Sequence, residues 1–167
     1  MEDDNREPLA FALLSPAFEP DGKIPSKYTC DGDSSLSPPL TISNVPEGTV
    51  SLALIMVDPD IPQAAKDARG VDVFDHWVVY GIPPGTVEIP EGGTVGSCGV
   101  NTIGKVAYAG PCPPPEYEPR EHRYVFTLYA LSGSVHFDEP PTRAELEAAI
   151  RPLVIKETHL IGRYARG

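Results

Sequence analysis

Cysteine is scarce, basic charge is outweighed by acidic, and no apolar run is long enough to cross a membrane. The three cysteines, Cys30, Cys98 and Cys112, are an odd set without C-x-x-C spacing. Neither a structural zinc site nor a complete disulfide framework is indicated, and a single disulfide is left open. Lysine and arginine number 13 against 24 aspartates and glutamates, a formal net charge of -11. Such a surface repels a phosphate backbone or an anionic leaflet, which argues against nucleic acid as a partner. Taken alone, the acidity mainly keeps a protein in solution. Residues Met1 to Glu7 are acidic and polar and read as a flexible tail, and the apolar run Leu9 to Leu14 is too short for a signal h-region with a basic flank or for a spanning helix. With no integral membrane segment, a cytoplasmic location is expected.

What is abundant is punctuation. Proline and glycine number 20 and 15 in 167 residues, and they fall between short apolar runs without the strict period of collagen. A chain of this length fits one compact domain, 1–167, made of short strands and turns. Strands are expected at Leu9 to Leu14, Leu40 to Ser43, Ser51 to Val57 and His76 to Ile82. The last two are apolar runs too short for an average helix, and they carry a polar residue at one end, Asp58 and His76. The stretch Gly92 to Pro119 has no period and reads as long loops, with at most a short strand near Val106 to Tyr108. From Arg123 to Leu131 the alternation is that of a strand, which puts His122 and Tyr124 on one face and Arg123 on the other. One helix is signalled at about 142–151: Thr142 with Glu145 makes a capping box, Leu146, Ala149, Ile150 and Leu153 follow a helical stripe, and Pro152 ends it. Thr158 to Tyr164 is read as a closing strand. The residue pattern alone predicts a mainly β domain with one late helix.

Four blocks then occur in a familiar order: Asp58-Pro-Asp-Ile-Pro62, Asp75-His-Trp-Val-Val79, Gly110-Pro-Cys-Pro-Pro114 and His122-Arg-Tyr-Val-Phe126. With Tyr28-Thr-Cys-Asp-Gly32, Ser37-Pro-Pro39 and Leu160-Ile-Gly-Arg-Tyr164, they resemble the phosphatidylethanolamine-binding (Raf kinase inhibitor-like) family in its bacterial and archaeal branch, over nearly the whole chain from about Leu14. The resemblance implies a large antiparallel sheet packed on a smaller one, a Greek-key-like β-sandwich with one or two short peripheral helices. It also implies a surface cavity for phosphate-like anions or phosphorylated or lipid head groups, without a cofactor or a metal. Position by position it assigns ligand binding to Asp58, His76, Gly110, Pro111, His122 and Tyr124, supported by Asp60, Pro62, Trp77, Cys112 and Pro113. Prokaryotic relatives are often homodimers, so a dimer is expected by resemblance. One departure stands out: the link from 115 to 121, Pro-Glu-Tyr-Glu-Pro-Arg-Glu, is longer than the family's, acidic and without glycine.

The residue chemistry fits such a cavity. Imidazole and phenol groups offer donors to an anion, and a Gly/Pro-rich loop approaches a ligand without side chains in the way. A carboxylate such as Asp58 holds an imidazole in one tautomer and favours its protonated form, so anion binding is expected to strengthen as pH falls. Each residue also has a plainer reading: Asp58-Pro59 as turn chemistry, His76 as a satisfied core histidine, Tyr124 and Trp77 as core aromatics. Cys112 invites a nucleophile reading with His122 as base, but a free structural cysteine is favoured because no orienting group or G-x-S-x-G motif accompanies it. The expectation is therefore a binding protein and not an enzyme. Two alternatives stand beside it. One is an inhibitor of kinases or serine proteases acting through the 115–121 segment, as members of the family are reported to be. The weaker is a metal-dependent hydrolase built on Asp58, Asp60, His76 and His122.

Overall fold

A computed structural model describes residues 9–167, and the tail expected at 1–7 lies outside them. Eight strands and two helices follow in order: β1 (Ala12–Leu14), β2 (Leu40–Ser43), β3 (Ser51–Asp58), α1 (Gln63–Arg69), β4 (Phe74–Ile82), β5 (Glu88–Ile89), β6 (Ser97–Cys98), β7 (His122–Leu131), α2 (Arg143–Ile150) and β8 (Val154–Tyr164). They form a five-stranded sheet in the order β6-β4-β3-β7-β8 and a three-stranded sheet in the order β1-β2-β5, and every strand pairing is antiparallel.

Period-two alternation decides which face of the large sheet meets what. Leu52, Leu54 and Met56 of β3, with Phe126 and Leu128 of β7, are wholly buried against Leu13, Leu40 and Ile89 of the small sheet. Ala53, Ile55 and Val78 face the other way and are covered by Leu146 and Ile150 of α2. Both faces of the central strand β3 are therefore buried, which is why Ser51 to Val57 reads as an unbroken apolar run. Strand β8 forms the outer edge beside β7, paired along its whole length from His122↔Tyr164 to Leu131↔Val154.

Helix α2 begins as its sequence predicts. The Thr142 hydroxyl accepts from the Glu145 N–H at 3.2 Å while the Glu145 carboxylate reaches back to the Thr142 N–H, and Pro152 falls in a 3-10 turn, Arg151–Leu153, that ends the helix. Two expectations are corrected. The short strand inside the 92–119 region lies at Ser97–Cys98, where the backbone pairs with Val79 and Tyr80, and not near Val106 to Tyr108. The residue pattern places one late helix; α1 is a second, within the one or two short helices the resemblance implies, but its position was not anticipated. It buries no residue and has no apolar stripe, so periodicity could not reveal it. Pro62 before it and Gly70 after it, in the left-handed region at φ 65°, were the only signals of its ends.

Candidate ligand-binding site

Two adjacent pairs of strand ends build the site. Asp58 closes β3, and beside it β7 opens with His122 and Tyr124, so three polar side chains reach the same edge of the large sheet on the same face. On the other side of β3, His76 sits where the β3–β4 register shifts: Met56 faces Trp77 and Val57 faces Asp75, which leaves His76 as the extra residue of a β-bulge. On a regular strand, His76 and Trp77 would point to opposite faces. The bulge turns His76 to the side of Phe74 and Tyr124, with ring centroids 4.5 Å and 5.2 Å away.

Asp58 has both oxygens engaged. Oδ1 accepts from the Asp60 N–H at 2.7 Å, the turn chemistry of Asp before proline, and Oδ2 accepts from His122 Nδ1 at 2.6 Å. Both side chains of this pair are almost wholly buried, at 4% and 1% exposure. His122 Nε2 is thereby left without a protein partner and sealed from solvent. His76 donates from Nδ1 to the Ala109 carbonyl at 2.6 Å, which leaves its Nε2 as a lone-pair acceptor. Burial pushes the His76 imidazole down to about 4, outweighing the Ala109 bond and the Asp58 charge, which act in the opposite sense. His76 is thus neutral from pH 5 to 8, so the imidazolium role expected of it does not hold.

These groups open onto one cavity of about 370 Å³. Asp58, His76, His122, Gly110, Cys112 and Pro113 form part of its wall, as does Pro62 at the start of α1. Tyr124 does not. It stands fully buried behind the two imidazoles, its hydroxyl has no partner, and burial drives its pKa upward. Pro111 is also behind the wall, its carbonyl accepting from the Cys30 N–H at 3.0 Å. Trp77 belongs to the core, edge-on to Tyr108. Asp60 faces away and is clamped by Arg123, whose backbone N–H, Nε and terminal nitrogen reach it at 2.7 to 2.9 Å. The Arg123 guanidinium holds the Asp60 carboxyl below its ordinary range. A larger hollow of about 530 Å³ between α2 and the start of β8 holds no buried polar atom without a partner.

Several wall residues were not foreseen: Cys30, Ser34, Ile61, Ala65, Arg69 and Phe74. Three of them, Ala65, Arg69 and Cys30, follow from structure that sequence patterns do not encode, the helix α1 and a disulfide. Cys112 is not the free cysteine expected; it is bonded to Cys30 across 82 residues, and Cys98 remains free. The bond staples the 110–114 loop to the 28–34 loop beside the cavity, and the pairing was hidden because an odd cysteine count has no unique solution. Among the described residues, no group of three or more His, Cys, Asp and Glu side chains is placed to hold a metal ion, so the donors considered for a hydrolytic metal centre do not form one.

Residues 14–165 match the model of the family described as phosphatidylethanolamine-binding protein. The chain belongs to this family. Curated relatives include a UPF0098 protein of Chlamydia pneumoniae, 42% identical over 155 residues and covering 92% of this chain and 98% of that one. A UPF0098 protein of Methanothermobacter thermautotrophicus is 40% identical over 162 residues, with 93% and 99% covered. Among solved structures, a phosphatidylethanolamine-binding protein homologue from Chlamydia trachomatis superposes with a TM-score of 0.85 at 36% identity, covering 95% of this chain and 99% of that one. Escherichia coli YbcL, described as a member of the mammalian family, gives 0.80 at 25% identity, with 94% and 99% covered. The two-sheet architecture described above is therefore the family's fold. No helix among the described residues of this phosphatidylethanolamine-binding family member is long and apolar enough to cross a membrane.

Proposed function

We propose that this protein is a non-enzymatic binder of small phosphate-bearing ligands, free phosphate or a phosphorylated head group, held in the 370 Å³ cavity over Asp58, His76 and His122. The observation that carries the reading is His122. Its Nδ1 is tied to a buried carboxylate and its Nε2 has no protein partner, in a ring that forms part of the cavity wall. A buried polar atom without a partner is rare and marks a place where something else completes the hydrogen bond. The group that completes this bond lies in the cavity, against a ring that Asp58 holds in one orientation. Gly110 lines the same wall and packs without a side chain against the 28–34 loop, which fixes the wall's position.

The same geometry argues against catalysis. Cys112, the nucleophile a histidine base would need, is held in a disulfide, and no hydroxyl or thiol of the described residues hydrogen-bonds His122 Nε2. Calorimetric titration with inorganic phosphate tests the reading: the parent protein binds and His122→Asn does not. Equal heats from both would remove His122 from the site.

A second reading, inhibition of a kinase or serine protease, is favoured by one observation. Residues 115–121 are all exposed and follow directly on Pro113 and Pro114 of the cavity wall, so the acidic segment borders the mouth. Shortening that segment separates the readings, because inhibition would be lost while phosphate binding persists.

A further inference from the structure

The cavity wall has a charge problem. With His76 neutral and donating only to Ala109, its free nitrogen is an acceptor, and Asp58 adds negative charge beneath. Taken alone, these two groups suit an ammonium or a hydroxyl better than a phosphate, so a positive group is needed beside His122. Among the described residues, the wall contains one lysine or arginine, Arg69, the last residue of α1.

Arg69 sits over an aromatic ring. Its guanidinium carbon lies 5.4 Å from the centre of the Phe74 ring, and Phe74 in turn stands 4.5 Å from the His76 ring. This column links the unforeseen helix to the floor of the cavity. A cation–π contact of this kind attracts the charge without using the N–H donors as hydrogen bonds to a carboxylate would, so they are available to a planar or tetrahedral anion. The other arginines near the site are already taken: Arg123 by Asp60, Arg143 by Asp75 and Glu147, Arg163 by Asp21. Apolar side chains make up much of the rest of the wall, among them Ile61, Ile103, Pro113 and Pro114.

We propose that Arg69, seated over Phe74, is the residue that makes the cavity specific for anions, and that its preferred occupants are phosphomonoesters with an apolar substituent, the phosphate meeting Arg69 and the substituent meeting the Ile61, Ile103 and Pro113 side chains. This rests on the phosphate reading of the cavity. It goes beyond that reading by assigning the fixed positive charge to a surface helix instead of to the histidines. Because guanidinium stays charged at every pH at which the protein is folded, binding persists at pH 8.

The test is calorimetry at pH 7.5 with inorganic phosphate and with phenyl phosphate, on the parent protein, Arg69→Gln and Arg69→Lys, each checked by thermal melting. Arg69→Gln is expected to weaken both ligands by roughly tenfold or more, the loss of a charged hydrogen-bonding partner. Arg69→Lys keeps a point charge without the flat fork and recovers only part of the loss. Phenyl phosphate is expected to bind the parent more tightly than inorganic phosphate. Parent-like affinity in Arg69→Gln, with binding lost in His122→Asn, would overturn the Arg69 assignment and leave the phosphate reading standing. Equal affinity of the two ligands would remove the apolar substituent. Absence of any phosphate binding to the parent would bring down both the reading and the inference.

Discussion

Asp58 and His122, 64 residues apart in the chain, meet through Oδ2 and Nδ1 at 2.6 Å inside the protein. The contact joins the end of β3 to the start of β7, adjacent antiparallel strands, so one strand's exit and its neighbour's entry deliver both side chains to one edge. Removing one partner of a buried pair leaves the other polar and uncompensated.

Asp58→Ala is accordingly expected to lower stability by about 3 kcal/mol. Asp58→Asn, which keeps an acceptor for Nδ1, is expected to lose less. Urea unfolding measures both, and a parent-like midpoint for the alanine variant would mean the pair contributes nothing to the fold.

Acid should loosen the protein through His76. Its folded-state pKa of about 4 lies below the ordinary value of 6.5, so between those limits the unfolded chain binds more protons than the folded one. Stability then rises with pH across this window, and falls as pH drops from 6.5 to 4, by on the order of 3 kcal/mol for this group. In His76→Asn that part of the slope should disappear, read from melting temperatures in steps of pH. An unchanged slope in the variant would assign the acid sensitivity to other groups.

The Cys30–Cys112 bond closes a loop of 82 residues. A cross-link over such a length restricts the unfolded chain by about 4 kcal/mol in the entropic account, so the double variant Cys30→Ser/Cys112→Ser should melt well below the parent. Thiol titration in denaturant without reductant should find Cys98 alone, and three reactive thiols would show the pair unformed.

Gly110 is packed with its α-carbon against the 28–34 loop. A methyl group there would press into the Tyr28 carbonyl oxygen and onto the backbone of Thr29 and Ser34. Gly110→Ala is expected to destabilise by about 2 kcal/mol, as overpacking does, and to weaken phosphate binding by displacing the cavity wall. Retention of full stability and affinity would show that the wall yields freely.

The residue pattern carried the strands well, because both sheets bury apolar residues at a period the backbone imposes. The extent of β7, the capping box of α2 and the opposed faces of His122 and Arg123 were all legible for that reason. Short helices with no buried face leave no such trace, and α1 was missed although it supplies Ala65 and Arg69 to the cavity. Of the residues the motif blocks named, Asp58, His76, Gly110 and His122 are brought together at one cavity. They also named Tyr124, Pro111, Trp77 and Asp60, which stand behind the wall or turn away from it.

By itself the amino-acid sequence determined the mainly β character, the strand that holds His122 and Tyr124, the capped helix and the ordered blocks that carry the family, since each depends on neighbours within a few residues. Tertiary structure alone decided the rest. A bulge of one residue chose the face of His76, a bond across 82 residues joined the cysteines, and a helix without an apolar stripe brought Arg69 onto Phe74. These relations join chain-distant groups, and nothing in local spacing distinguishes them from the alternatives until the chain is folded.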